Sequence, residues 1–125
     1  MALSPAYEKH PEHTLAIDDH RVGVRVSIGE IVVAETTRGL NLREGRSPPV
    51  VYVPREDVFM DRLRGSDHST HCPFKGDASY FDFTGAPSPI EQVAWSYEDP
   101  FDQVAAIRDH LAFYADRVRI EMLGD

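Results

Sequence analysis

Between Val22 and Ile28 the chain alternates: Val22, Val24, Val26 and Ile28 are apolar, and Gly23, Arg25 and Ser27 separate them. A period of two is the spacing of a strand with one buried face, so this stretch predicts a half-buried strand. Gly29-Glu30 predicts a tight turn, and residues 31–35 the returning strand of a hairpin. Residues 39–43 predict a third strand with Leu40 and Leu42 inward, and residues 45–49 a loop. Residues 50–53 form a short β-branched and aromatic strand that stops at Pro54.

Pro54 suits the start of a helix, and Glu56 and Asp57 suit the positive end of its dipole. The expectation is a short helix over residues 55–63, with Val58, Phe59 and Leu63 as its buried stripe and Gly65 ending it. Residues 69–72 and 78–83 predict two strands joined by a turn in which Gly76 takes a positive φ. A loop over 85–89 and a strand over 93–97 follow. Asp99-Pro100 opens a last helix through about residue 109, before residues 111–114 and an acidic-basic tail. Phe59, Phe81, Phe83 and Phe113 are assigned to the core.

The pattern predicts a mainly β fold: a small single-domain barrel or sandwich of about seven or eight short strands with two short helices. Residues 1–13, with two prolines and with His10 and His13, predict a mobile N-terminal arm on a β-rich domain spanning 14–125.

Composition narrows the function classes. The apolar share of 42% suits a globular core, and 125 residues leave no room for a second one. A formal charge of −8 argues against a polyanion-binding face, so no nucleic acid is expected as partner. No apolar run is long enough to span a membrane, and residues 1–20 carry charges without the apolar stretch of a secretory signal. The single cysteine, Cys72, forms no internal disulfide and fits a reducing compartment, so the expected location is cytoplasmic.

Residues 69–76 are the richest in chemistry. In an extended strand Thr70 and Cys72 share one face and His71 the other, with Lys75 projecting from the turn beside them. A hydroxyl, a thiol and an ammonium together can bind an anion or prime a nucleophile, although a buried cysteine and a solvated lysine explain the same residues. His68, His71 and Cys72 lie close, but the second ligand pair of a structural zinc site is missing; surface histidines are the stronger reading, a three-ligand catalytic zinc or iron is the lesser one, and no metal is expected. Arg38 and Arg55, flanking Tyr52, can clamp a carboxylate or phosphate, or simply pair with Glu35, Glu56 or Asp57. Trp95 and Tyr97 fall on one face, and Tyr80 and Tyr114 can extend that wall for a planar ligand or fill a core. No phosphate-binding glycine loop, dinucleotide fingerprint or nucleophile elbow occurs.

Taken in order, Thr36-Thr37-Arg38, Val51-Tyr52-Val53-Pro54-Arg55-Glu56-Asp57-Val58, Ser69-Thr70-His71-Cys72-Pro73-Phe74-Lys75-Gly76, Ala94-Trp95-Ser96-Tyr97 and Ala112-Phe113-Tyr114-Ala115-Asp116-Arg117-Val118 resemble the domain-of-unknown-function four-two-seven family. The resemblance runs from about Val22 to Val118 and implies a small, mostly β domain. The family also carries a nucleotidyltransferase-like label. Here neither Asp77 nor Asp82 has a second carboxylate two residues away, as the metal pair of such enzymes requires. The matched strings gather Arg38, Tyr52, Arg55, Thr70, Cys72, Lys75, Trp95, Tyr97 and Tyr114 into one expected ligand site. The leading expectation is a pocket for a small-molecule ligand, anionic or planar. The alternatives are a transferase-like enzyme using Cys72 or Lys75, and a homodimeric interaction module joined through a strand edge. The sequence names no cofactor.

Overall fold

The computed structural model describes residues 2–85 and 88–124. Among these residues ten strands form: β1 (Leu15–His20), β2 (Gly23–Ile28), β3 (Ile31–Thr36), β4 (Gly39–Glu44), β5 (Val50–Pro54), β6 (Leu63–Cys72), β7 (Gly76–Phe83), β8 (Ile90–Ser96), β9 (His110–Phe113) and β10 (Arg119–Leu123). A four-residue helix, α1 (Ala6–Lys9), precedes them. No helix is long and apolar enough to cross a membrane among the described residues.

Seven strands make one sheet in the order β1-β4-β5-β9-β8-β7-β6, and three make another, β10-β2-β3, with every pair antiparallel. The sheets are stacked as a sandwich and do not close into a barrel, which decides between the two expected architectures. Alternation explains the stacking. Val24, Val26 and Ile28 of β2 are buried against Val53, Phe81, Phe83, Leu111 and Phe113 of the larger sheet. Gly29 takes φ +60° at the turn between β2 and β3, and Ile28 pairs with Ile31 across it, as the hairpin required.

The two helical stretches appear as 3-10 turns. Over the expected helix 55–63 the chain makes one turn at Arg55–Asp57 and another at Met60–Arg62. Between them Val58 is extended and bridges to Ala34 of β3. A continuous helix would forfeit that bridge, so the helix-start residues serve a single turn. Phe59 consequently faces outward, 44% exposed with Arg62 over its ring, which corrects its assignment to the core. Gly65 lies inside β6 and ends no helix. The second stretch spans Asp102–Ile107 and is broken at Val104, whose φ of −126° is not helical.

The larger sheet has a second buried face. Leu42, Tyr52, Ala78, Tyr80, Tyr97 and Ala112 pack there, roofed by Val104 and Ile107 of the last turn. Residues 2–13 dock beside this face: Ser4 is buried, the Tyr7 hydroxyl donates to the Phe74 carbonyl at 2.7 Å, and His13 stacks on Phe74 at 3.8 Å. Part of the loop expected over 85–89 lies outside the described residues.

Candidate functional site

The period-two geometry of the larger sheet sorts its aromatics by chemistry. On β7, Phe81 and Phe83 face the smaller sheet, while Tyr80 and Ala78 face the opposite way. Tyr52 on β5 and Trp95 on β8 join Tyr80. In register, Tyr80 pairs with Trp95, and Trp95 with Ala112. Because β9 contributes only the small Ala112 there, Trp95 reaches over it, and its Nε1–H donates to the Tyr52 hydroxyl at 3.1 Å.

All five tyrosines, the one tryptophan and the one cysteine lie on this side. Tyr114 follows β9, with its ring 4.5 Å from that of Trp95 and Arg117 5.0 Å above it. Both Trp95 and Tyr114 are only half-buried, so this pair is the accessible part of the face. At its β6 edge Thr70 Oγ1 and the Tyr80 hydroxyl share a hydrogen bond of 2.9 Å, and the His68 ring lies 4.6 Å from Tyr80.

A charged cluster closes one end. Lys75 Nζ donates to Glu44 Oε1 at 2.5 Å and sits 5.6 Å from the centre of the Tyr97 ring. His13 Nε2 meets the other Glu44 oxygen at 2.7 Å. Burial alone would push the Glu44 carboxyl up, but the hydrogen bond and charge of Lys75, joined by His13, hold it below its ordinary range. Burial also pushes the phenols up: Tyr7 to about 12, with Cys72 and Glu44 adding, and Tyr114 to about 12, with its hydrogen bond to Tyr80 adding. Tyr52 and Tyr97 rise further, again chiefly by burial. The face therefore presents neutral hydroxyls near neutral pH.

Seven of the nine expected site residues come together here: Tyr52, Thr70, Cys72, Lys75, Trp95, Tyr97 and Tyr114. Thr70 points to Tyr80 while His71 points away to Asp77 at 2.7 Å, and Cys72 is half-buried against the tyrosines. Arg38 and Arg55 do not join them, which corrects their placement. Arg38 grips Asp57 through Nε at 3.1 Å and Nη2 at 2.8 Å. Arg55 pairs with Glu98 at 2.9 Å and lies over Phe81, on the other face of the sheet. Each guanidinium is drawn to a carboxylate near its own strand end, and no arginine clamp forms between the two. Lys75 is likewise spent on Glu44. Sequence reading missed Glu44, His13 and Tyr7, which lie far along the chain from the motifs they touch and carry no local signal.

Two stacked antiparallel sheets with a tyrosine-tryptophan outer face define the class of domain. A family model described as Domain of unknown function (DUF427) matches residues 16–124, and the chain belongs to that family. No curated protein matches it. The matched stretch contains the whole aromatic face except Tyr7, which comes from the arm before it.

Proposed function

We propose that the domain binds a small planar metabolite on the Trp95–Tyr114 surface. The observation that carries this reading is the half-exposed pair of rings 4.5 Å apart, bordered by the hydroxyls of Thr70 and Tyr80. Rings of this kind stack on planar ligands, and neutral hydroxyls fix their orientation by hydrogen bonds. Uncharged phenols favour a ligand that is neutral where it touches them. The anionic alternative draws less support, because the ammonium of Lys75 already faces Glu44 at 2.5 Å. That same ion pair occupies the Lys75 side chain and weighs against its use as a base.

Trp95 is the only tryptophan, so its fluorescence reports on the site directly. Neutral planar probes such as adenosine and nicotinamide should quench it saturably, and Tyr114→Ala should weaken that binding by about ten-fold or more. Saturable binding of citrate with none of the planar probes would reverse the reading, and so would planar binding indifferent to Tyr114.

A further inference from the structure

The chain passes from the larger sheet to the smaller between β1 and β2, and returns between β3 and β4. His20 pairs with Gly39, and Val24 with Thr36, so the two crossing links run side by side at one end of the sandwich. Between them lies a polar cleft of about 420 Å³, lined by Asp19, His20, Arg21, Thr37, Arg38 and Gly39. It is separate from the aromatic surface described above.

The donors there are unspent. Among the described residues, the Arg21 guanidinium and the Thr37 hydroxyl have no partner. Arg38 uses Nε and Nη2 on Asp57, with Glu56 also near Nη2, leaving Nη1 without a partner among the described residues. His20 is more telling. Its Nδ1 lies 3.2 Å from Asn41 Oδ1. Its Nε2 is buried and has no partner among the described residues. Buried polar atoms are paired in folded proteins, by ligand or water where the chain does not serve.

We infer that this cleft is a binding site for a phosphoryl group, either inorganic phosphate or the phosphate of a monoester. Arg21, Arg38 Nη1 and Thr37 donate to its anionic oxygens, guanidinium being suited to such geometry. A further phosphoryl oxygen pairs with His20 Nε2. A carboxylate fits less well, since it offers two oxygens where a phosphoryl group offers three or four to these side chains. Asp19 opposes the anion and lowers the affinity.

The test is a titration of isotope-labelled full chain with inorganic phosphate, glycerol phosphate and acetate at constant ionic strength, followed by amide shifts. Saturable shifts at residues 19–22 and 37–39 are expected for both phosphates and not for acetate. Arg21→Ala should weaken phosphate binding by about ten-fold, and Arg21→Lys less, because lysine keeps the charge and loses the fork. Asp19→Asn should tighten it. Shifts that fail to saturate, that centre elsewhere, that acetate reproduces, or that survive Arg21→Ala overturn the assignment. Binding of inorganic phosphate alone would identify the ligand as the free ion, and stronger binding of glycerol phosphate would identify a monoester.

Discussion

The indole Nε1–H of Trp95 donates to the Tyr52 hydroxyl across β9, and this 3.1 Å bond links residues 43 positions apart over a single alanine. Tyr52 is 1% exposed, so the acceptor side of this bond is closed to solvent. Tyr52→Phe should therefore leave the indole donor unpaired at a cost of about 1–3 kcal/mol. Thermal unfolding should show a drop of several degrees, together with a changed Trp95 emission maximum. An unaltered spectrum would mean that the indole does not depend on Tyr52.

Gly76 opens β7 with φ +115°, where its added Cβ would lie 3.4 Å from the Asp99 carbonyl oxygen. The space is tolerable and the backbone is not, because side-chain-bearing residues rarely adopt that φ. Gly76→Ala should cost about 1–3 kcal/mol in urea unfolding, by strain and not by overpacking. It should also loosen Lys75, whose carbonyl accepts the Phe101 N–H at 3.1 Å. Hydrogen exchange at Phe101 reads that second effect.

Much of the fold was legible where burial alternates. β2 shows Val24, Val26 and Ile28 buried, as its pattern required. β1 was not read, because its edge position leaves Leu15 and Ile17 half-buried beside Asp18, Asp19 and His20, an outline that resembles a polar linker. β10 was hidden likewise, with Ile120 half-buried between charged neighbours. At the site, Trp95 and Tyr97 were legible as one wall because strand geometry is local. Arg38 and Arg55 were not, since their fate depends on Asp57 and Glu98, which tertiary contacts supply.

Phe59 and Phe83 make the contrast quantitative. Sequence alone treats them alike, yet Phe59 is 44% exposed and Phe83 is 0% exposed between the sheets. Phe83→Ala should cost about 3–5 kcal/mol, through lost transfer energy and the cavity it leaves. Phe59→Ala should cost well under that, about 1 kcal/mol or less, chiefly through its contact with Arg62. Parallel urea titrations decide it: equal costs would put Phe59 back in the core.

Glu44 is the hinge of the charged cluster, bonded to Lys75 at 2.5 Å and His13 at 2.7 Å. Its folded carboxyl titrates below the ordinary range despite burial, so the folded state holds the ionised form more tightly than the unfolded chain does. The sign follows by linkage. Stability from this preference is fully present above about pH 4.3, where the unfolded carboxyl ionises, and is lost as pH falls through the lower folded value. Glu44→Gln removes the ionisable group while keeping the shape, so it behaves as a protonated wild type. The two proteins should differ most near neutral pH, and the gap should close in the acid range as wild-type Glu44 takes up its proton. Urea titrations of both proteins at several pH values measure that gap. A gap that stays constant into the acid range would show that shape, and not charge, joins Glu44 to Lys75.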